Sequence, residues 1–312
     1  MKKISVVIPT YNEKENIPLV YERVVNVLSK MEYIYEIIFI DNFSMDGSRD
    51  QIRILCSKDS NVKAILNAKN FGWTRSSFYG LTQADGDAVV LLVADLQDPP
   101  ELIPEFIMKW EKGAKIVSGI KSRSKENKLM YGIRQLFYRF MKTISDVEHI
   151  QQFTGFGLYD REFIDVLRGL DDPLPYLRGI VAELGFCREE ITFQQDIRRH
   201  GKSSFKFMNL YDMAMLGITS YSKVLLRLST LFGFGLSCIS VIIAIITFIR
   251  KLVDWDGIPI GTASLVVGFF FIASVQLFFI GLLGEYILNM NIRIMKRPLV
   301  IEEERRGFSK EE

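Results

Sequence analysis

The chain has 312 residues, and 39 basic against 37 acidic side chains leave a formal net charge of +2. This balance argues against a protein that binds nucleic acid mainly through the phosphate backbone, because such proteins carry a basic excess. A hydrophobic content of 48% excludes a disordered chain. With three cysteines, no C-x-x-C spacing and two histidines, the sequence indicates neither a disulfide framework nor a zinc site, so any metal is expected to be a hard cation on oxygen ligands.

The first part of the chain alternates short β-rich runs with segments of helical spacing. The predicted strands are Ile4–Pro9, Tyr35–Asp41, Val62–Asn67, Ala88–Asp95 and Lys115–Ile120. Continuous apolar strands that alternate with helices are typical of a mostly parallel sheet covered on both faces. The sequence therefore predicts an α/β fold.

Polar clusters follow three of these strands, at residues 10–13, 41–42 and 95–98. Each cluster alone is as readily explained by a helix cap or a turn. Because ligands of parallel sheets bind at the carboxyl ends of the strands, three clusters at one edge predict a binding site. The sequence has neither a G-x-G-x-x-G after the first strand nor a P-loop, so the acidic residues favour a nucleotide diphosphate bridged by a divalent cation.

Two segments follow that have possible roles at a membrane surface. Residues 127–145 interleave aromatic and basic side chains, which fits either a helix on anionic lipid or a helix packed on the sheet. Residues 205–226 are mostly apolar with a few charges and lead into a long apolar run, so we predict an amphipathic juxtamembrane helix there.

Two long runs near the C-terminus, Leu228–Ile249 and Gly257–Gly284, contain no charged residue. The first run would cover about 33 Å as a helix, which is the thickness of a hydrocarbon core. The short connection between them predicts a transmembrane hairpin, so both ends of the chain would lie on one side. More basic residues flank the outer ends than the connection, which favours the cytoplasm for that side. The alternative, two buried core helices, is disfavoured by their length.

Several motifs carry a resemblance to a known family. They are SVVIPTYNEKENI (5–17), FIDN (39–42), NFG (70–72), VADLQDPPE (93–101), YLRGI (176–180) and RRHGKSSF (198–205). With the two apolar runs, they resemble the polyprenyl-phosphate glycosyltransferases of glycosyltransferase family 2, of the bactoprenol glucosyltransferase and dolichol-phosphate mannose synthase type. The resemblance covers nearly the whole chain.

The resemblance implies an inverting, metal-dependent transferase of GT-A fold that moves a sugar, such as glucose, from a nucleotide-sugar donor, most readily a UDP-sugar, to a polyprenyl phosphate. It implies a multi-pass protein of the plasma (inner) membrane, in contact with membrane lipid. The domains expected are a cytoplasmic GT-A domain (1–204), the juxtamembrane helix (205–226), two transmembrane helices (227–290) and a cytoplasmic tail (291–312). A homo-oligomer is compatible with the sequence.

The resemblance also assigns site residues by position. The donor nucleotide is expected at Pro9, Tyr11, Glu13, Asp41, Ala94, Asp95 and Lys121, and Mg²⁺ or Mn²⁺ at Asp95 and Gln97. Arg198, Lys202 and Ser203 are expected on a loop over the donor and acceptor phosphates. The catalytic set is Asp95, Asp98 and Arg198.

Three positions depart from the family pattern. Val93 replaces one aspartate of the D-x-D motif, the D-D-G-S turn is Asp41-Asn42-Phe43-Ser44, and Gly155 stands where many relatives carry a proposed catalytic aspartate. A lipid monophosphate, whose second pKa is about 6, is largely dianionic at neutral pH and needs no general base. An acceptor hydroxyl would need one, and Asp98 and Asp160 are the nearest candidates.

Two other functions compete with this interpretation. A membrane relative that binds its ligands without catalysis is motivated by Val93 and Gly155. A nucleotidyltransferase is disfavoured because the first strand lacks a glycine-rich, lysine-containing loop. A transporter is also disfavoured, since about two thirds of the chain has the pattern of a soluble domain.

Overall fold

The computed structural model describes residues 1–122, 150, 152–195, 215–220, 222, 224–253 and 262–308. The predicted basic aromatic segment 127–145, the loop residues Arg198, Lys202 and Ser203, and the first part of the juxtamembrane segment (205–214) lie outside the described residues.

The described residues include eight strands and eight α-helices with defined bounds, and residues 215–220 are also helical. The strands are β1 (Lys3–Thr10), β2 (Ile34–Asp41), β3 (Val62–Asn67), β4 (Ala88–Leu91), β5 (Ile116–Lys121), β6 (Phe153–Asp160), β7 (Arg188–Phe193) and β8 (Glu302–Arg306). The helices are α1 (Asn16–Leu28), α2 (Ser48–Lys58), α3 (Trp73–Thr82), α4 (Ile103–Glu111), α5 (Arg161–Gly169), α6 (Leu177–Glu183), α7 (Val224–Val253) and α8 (Thr262–Ile294). A 3₁₀ turn, Pro100–Leu102, precedes α4.

The strands form one sheet in the order β7-β5-β6-β4-β1-β2-β3-β8. The pairs β4–β1, β1–β2 and β2–β3 are parallel, whereas β6 runs antiparallel to β4 and β5 and β8 runs antiparallel to β3. The predicted mostly parallel α/β fold and the five predicted strands are confirmed. The fourth strand ends at Leu91 rather than Asp95, because the chain turns away from the ladder toward the sheet edge.

Alternation along the strands divides the core between two faces of the sheet. Val6 and Ile8 of β1 pack with the apolar stripe of α1, including Val20 and Val24. Val7 points the other way, into the cluster that contains residues of α3, α5 and α6. Because both faces are covered, the central strands are apolar on both sides, which is why they are continuous apolar runs in the sequence.

The sequence analysis missed three strands. β6 contains Gly155 and Gly157, and glycine weakens the β pattern. β7 and β8, with sequences REEITF and EEERR, occupy the two edges of the sheet, where charged side chains are common because they discourage pairing with another chain. Neither kind of strand has the apolar run by which the others were recognised.

Helix α7, with 30 residues, contains the first predicted apolar run, and α8, with 33 residues, contains residues 262–284 of the second. The remaining residues of the second run, 257–261, lie outside the described residues. Among the described residues, one segment, Phe271–Ile294 in α8, is long and apolar enough to cross a membrane, with 24 residues and a mean hydropathy of 1.8. The transmembrane hairpin therefore stays a prediction. At its C-terminal end α8 contacts the preceding segment, because Tyr286 Oη donates to the Ser222 carbonyl (2.7 Å) and Asn289 Nδ2 donates to Thr219 Oγ1 (2.8 Å).

Candidate functional site

The polar clusters after β1, β2 and β4 lie side by side at the carboxyl ends of these strands, because the strands are parallel neighbours. We call this end of the sheet the site edge. Hydrogen bonds join the first two clusters: the Asn12 amide donates to Ser44 Oγ (2.8 Å), and the Met45 amide donates to Asn12 Oδ1 (3.0 Å). The Glu13 amide donates to Ser48 Oγ at the start of α2 (2.9 Å). The two loops therefore support each other's conformation.

The NFG segment is attached to the site edge through Asn42. Asn42 Nδ2 donates to Asn70 Oδ1 (2.7 Å), and the Phe71 amide donates to Asn42 Oδ1 (2.9 Å). The Gly72 amide in turn donates to Asn70 Oδ1 (2.9 Å), next to the start of α3. A single buried asparagine thus links the end of β2 to the loop that begins α3.

Backbone strain is present in all three strand-end clusters. Asn12 has φ of 54°, Phe43 of 67° and Leu96 of 61°, all in the left-handed region that residues with a Cβ disfavour by about 1–2 kcal/mol. Phe43 occupies the glycine position of the usual D-D-G-S turn, and its positive φ explains why glycine is common there. Residues held in such conformations concentrate at ligand sites, which marks the site edge as functional.

Asp41 is a fully buried carboxylate at the end of β2. Its Oδ2 accepts a hydrogen bond from the Ser44 amide (2.9 Å) and lies 3.7 Å from Arg49 Nε. Its Oδ1 has no hydrogen-bond partner among the described residues. Burial raises the pKa of Asp41, while the Ser44 hydrogen bonds and Arg49 act in the opposite direction. A buried acceptor left open in this way is suited to an N–H donor on a ligand.

The other residues expected around the nucleoside differ in exposure. Pro9 is buried in β1, whereas Tyr11 is 37% exposed at the sheet edge. The Glu13 carboxylate is buried and accepts a hydrogen bond from Asn16 Nδ2 (2.5 Å), which fixes it at the start of α1. Tyr11 is therefore the member of this set that presents its side chain to the surface.

The loop after β4 gathers acidic and amide oxygens. Asp95 Oδ1 accepts a hydrogen bond from the Gln97 amide (3.1 Å), and Ala94 is fully buried between β4 and this turn. Asp98 is 3% exposed, and its Oδ1 has no hydrogen-bond partner among the described residues. Burial raises the pKa of Asp98 to about 7; Lys121 lowers it and Asp95 raises it. An acid with such a pKa exchanges its proton near neutral pH.

The oxygen donors of this loop fit a hard cation, although the protein contributes few of them. Within the described part of the chain, no group of three or more His, Cys, Asp or Glu side chains could hold a metal ion. Asp95 and Gln97 would therefore hold Mg²⁺ or Mn²⁺ only together with oxygens of a bound diphosphate.

Asp160 is not at the site edge. It pairs with Ala88 at the start of β4, and its side chain accepts hydrogen bonds from Trp110 Nε1 (2.6 Å) and Lys115 Nζ (3.1 Å). It also caps α5 by accepting from the Glu162 amide (3.0 Å). The interpretation of Asp160 as a candidate base is therefore wrong, because β6 runs antiparallel to β4 and carries its C-terminal residue to the opposite edge.

Gly155 lies in a tightly packed part of the site. Its φ is 104°, and a Cβ built on it would lie 3.4 Å from Trp73 Cη2 and 3.5 Å from Leu91 Cδ2. The neighbouring Tyr159 Oη donates to the Gly155 carbonyl (2.6 Å). The positive φ therefore disfavours the aspartate that many relatives carry, whereas a Cβ at this position would make ordinary van der Waals contacts with Trp73 and Leu91.

A pocket that the sequence analysis did not predict lies beside Gly155. Its lining includes the apolar side chains of Trp73, Phe78 and Leu177 and the polar side chains of Ser77, Thr154 and Arg178. The Ser77 and Thr154 hydroxyls are buried and have no hydrogen-bond partner among the described residues. Two motifs, NFG before Trp73 and YLRGI around Leu177, flank this pocket and were the available signal.

The chain is similar to known proteins along nearly its whole length. Residues 5–167 match the family described as Glycosyl transferase family 2. The SfII prophage-derived bactoprenol glucosyl transferase of Shigella flexneri is 35% identical over 307 residues, which are 98% of this chain and 99% of the relative. The bactoprenol glucosyl transferase of Shigella phage SfV is 34% identical over 300 residues, which are 96% of this chain and 97% of the relative.

Among solved structures, glucosyl-3-phosphoglycerate synthase from Mycobacterium tuberculosis in complex with phosphoglyceric acid has a TM-score of 0.49 and 19% sequence identity, over 70% of this chain and 78% of that chain.

Substitution of Gly155 by aspartate should destabilise the protein. The positive φ costs about 1–2 kcal/mol for a residue with a Cβ. The midpoint of thermal unfolding should fall in Gly155→Asp. The matched control is Gly169→Asp at the end of α5, where a Cβ would meet nothing within 4 Å. Equal melting temperatures for Gly155→Asp and wild type would contradict the backbone conformation described here.

Proposed function

The chain belongs to glycosyltransferase family 2, and we propose that it transfers a hexose, such as glucose, from a UDP-sugar to a polyprenyl phosphate at the cytoplasmic face of the plasma membrane, with inversion at the sugar carbon. The observation that carries the proposal is the shared sheet edge, where the buried acceptor of Asp41 and the oxygens of Asp95 and Gln97 follow parallel strands. Support also comes from relatives named bactoprenol glucosyl transferase that match along the whole chain.

We assign the donor nucleotide to the ends of β1, β2 and β4. The open Oδ1 of Asp41 would accept the ring N–H of uracil, with Pro9, Tyr11 and Glu13 around the nucleoside. Ala94 and Asp95 would lie at the ribose and the diphosphate. The hydrogen bonds between the first two loops pre-organise this pocket, which reduces the conformational entropy lost when the donor binds.

The diphosphate end contains the charges that the reaction needs. A divalent cation on Asp95 and Gln97, when bound, neutralises negative charge on the departing diphosphate. Lys121 is close enough to Asp98 to lower its pKa, and its ammonium group would stabilise the same charge. Asp98 would orient Lys121 and respond to the charge of the bound diphosphate, which makes it a member of the catalytic set with Asp95.

The acceptor chemistry is consistent with the absence of a carboxylate at position 155. An oxygen of the lipid phosphate attacks the sugar C1 while the C1–O bond to the diphosphate breaks, and attack from the opposite face inverts the configuration. Because a phosphate monoester is largely dianionic at neutral pH, no proton has to be removed from the nucleophile. A glycine at position 155 is therefore compatible with transfer to a lipid phosphate. Transfer to a sugar hydroxyl would require a general base, which glycine cannot provide.

The pocket beside Gly155 has a volume of only about 20 Å³, so we propose that the acceptor phosphate binds at its mouth, with Arg198, Lys202 and Ser203 as the partners expected from the loop. Arg178 and the hydroxyls of Ser77 and Thr154 provide a cation and unpartnered donors for an anion. The loop before α6 is also attached to α8, because Arg293 Nη2 lies 3.3 Å from Asp172 Oδ2 and Lys296 Nζ lies 3.3 Å from Asp171 Oδ2.

We further propose that α7 and α8 form a transmembrane hairpin with both chain ends in the cytoplasm. Each helix is longer than the about 20 residues that a membrane span requires. Large apolar side chains such as Leu231, Phe234, Phe269 and Leu277 are exposed on them, as is expected of lipid-facing surfaces. The hairpin would keep the pocket beside Gly155 close to the bilayer surface.

The decisive variant for catalysis is Asp95→Asn, which keeps the side-chain shape and removes the charge that faces the cation. We expect transfer of labelled hexose into organic-extractable lipid to be nearly abolished in membranes that contain this variant. Asp85→Asn, at an exposed position near the opposite edge, is the control and should retain activity. Manganese should bind weakly to the free protein and more tightly in the presence of UDP, since the diphosphate supplies the missing ligands.

Full metal-dependent activity of Asp95→Asn would refute the assigned site. Loss of transfer in the wild type itself, with intact UDP binding, would instead favour a relative that binds its ligands without catalysis.

Removal of the two buried hydroxyls beside Gly155 should affect thermal stability and acceptor binding in different ways. Ser77→Ala and Thr154→Val remove buried hydroxyls without partners, so thermal stability should stay the same or rise, by up to about 1 kcal/mol. The KM for polyprenyl phosphate should nevertheless increase roughly tenfold, because two donors to a charged phosphate are lost. The KM for the UDP-sugar should not change.

Ser118→Ala is the matched control for these variants. Its hydroxyl is likewise buried and without a hydrogen-bond partner among the described residues, yet it does not line the pocket. It should leave both KM values unchanged. A lower melting temperature together with an unchanged acceptor KM for Ser77→Ala would show a structural role only.

The hairpin predicts the location of Trp255 in the connection between α7 and α8. In a variant without the native cysteines, Trp255→Cys should react with an impermeant thiol reagent in intact cells. The control retains Cys187 alone, an exposed thiol of the catalytic domain, and should react only after permeabilisation. Reaction of Trp255→Cys only after permeabilisation would exclude the proposed topology.

A further inference from the structure

The edge strand β8 connects the C-terminal segment after α8 to the donor end of the site. It pairs antiparallel with β3, in the register Ile65 with Arg305 and Leu66 with Glu304. The Ala68 amide also donates to the Ile301 carbonyl (2.9 Å). The polypeptide that leaves α8 therefore returns to the sheet and becomes part of it, separated from β1 by β2 and β3.

Side chains of β8 bind the helices that flank β2 and β3. Glu303 forms an ion pair with Arg49 of α2 (2.8 Å), and Glu304 forms one with Arg53 of the same helix (2.7 Å). On the other side of the strand, Tyr79 Oη of α3 donates to Glu302 Oε1 (2.8 Å). The successive glutamates of this strand thus fasten it to α2 and α3.

Glu303 and Glu304 bind different arginines of α2, and the arginine that Glu303 binds also lies next to Asp41. Arg49 Nε is 3.7 Å from Asp41 Oδ2, while its Nη2 is the atom bound by Glu303. Its guanidinium carbon lies 5.8 Å from the centre of the Phe43 ring, in the strained turn after β2. Arg49 therefore bridges the buried carboxylate of the proposed base site and an exposed carboxylate of the edge strand. Arg53, in contrast, pairs with Asp50 and Glu304.

We propose that Glu303 is a positioning residue for the donor nucleotide: through Arg49 it fixes the carboxylate of Asp41 for the nucleotide base, so that docking of β8 completes the donor pocket. The inference rests on the proposed function, in which Asp41 receives the base. The Arg49 side chain is mostly buried, with 14% of its surface exposed, so its position depends on the few groups that it touches. Without Glu303, one nitrogen of the guanidinium would lose its anionic partner, and the group would be less constrained beside Asp41.

The contacts of Arg49 with Glu303 and Asp41 also account for the strained backbone of the turn after β2. Phe43 has a positive φ, which is unfavourable for a residue with a Cβ, and its ring lies against the guanidinium of Arg49. An arginine held on one side by Glu303 and on the other by Asp41 gives this ring a fixed surface. The strained turn and the edge strand are thus parts of one support for Asp41.

The test compares Glu303→Gln with Glu304→Gln in the purified full-length protein. Both variants remove one carboxylate of β8 that pairs with an arginine of α2, and they differ in whether that arginine reaches Asp41. For Glu303→Gln we expect the Kd for UDP and the KM for the UDP-sugar to rise by about fivefold, with kcat and the acceptor KM unchanged. Glu304→Gln should leave all four quantities unchanged.

A double-variant experiment tests whether the effect passes through Arg49. In an Arg49→Gln background, the further change Glu303→Gln should have no additional effect on the Kd for UDP, since the bridge is already absent. Equal effects of Glu303→Gln and Glu304→Gln on the Kd for UDP would overturn the proposal. So would a rise in this Kd on Glu303→Gln that is as large in the Arg49→Gln background as in the wild type.

Asp41→Asn separates this proposal from the one on which it rests. If Asp41→Asn weakens UDP binding and Glu303→Gln does not, the positioning role of Glu303 is wrong. The proposal that Asp41 binds the nucleotide base would then remain valid. If Asp41→Asn leaves UDP binding unchanged, the assignment of the base to Asp41 is wrong, and the inference about Glu303 fails with it.

Discussion

The parallel pairing of β4, β1 and β2 is the constraint on which the site depends. Because these strands run in the same direction, their carboxyl ends meet at one edge, and residues far apart in the sequence become neighbours there. Burial on both faces then fixes the register, since a shift by one residue would exchange the two apolar clusters. The meeting of the three polar clusters is therefore a consequence of strand order.

The sequence predicted the part of the fold that is governed by apolar periodicity. The strands that begin at Ile4, Tyr35 and Val62 have continuous apolar runs, and they were recognised with an error of about one residue at each end. β6 was missed because of its glycines, and β8 because EEERR has no apolar residue. Long-range pairing determines both strands, and a local pattern contains no information about it. For the same reason, Asp160 was wrongly grouped with Asp98: the antiparallel direction of β6 is set by tertiary contacts.

The departures from the family pattern at Gly155 and Val93 can be explained by backbone conformation and by charge. Gly155 has a positive φ, a conformation that an aspartate disfavours. A dianionic acceptor makes that acid unnecessary. With Val93 in place of one aspartate, the loop after β4 has fewer negative charges, and a metal would depend more strongly on the diphosphate. Under the proposed function, the cation would bind together with the donor rather than before it.

Helix α8 is connected to the catalytic domain at two separate places, and this has consequences for how the two substrates meet. Arg293 and Lys296 contact the loop that leads to the pocket beside Gly155, and the chain that follows becomes β8, next to the base site. One helix end is therefore attached to both sides of the site. An acceptor that is confined to the bilayer and a donor that arrives from solution must be brought together with little error, because a displacement of about 1 Å at the reacting atoms is costly. Two attachments restrict rotation of the domain about the helix end more than a single flexible linker would, which is the property that the proposed transfer at a bilayer surface requires.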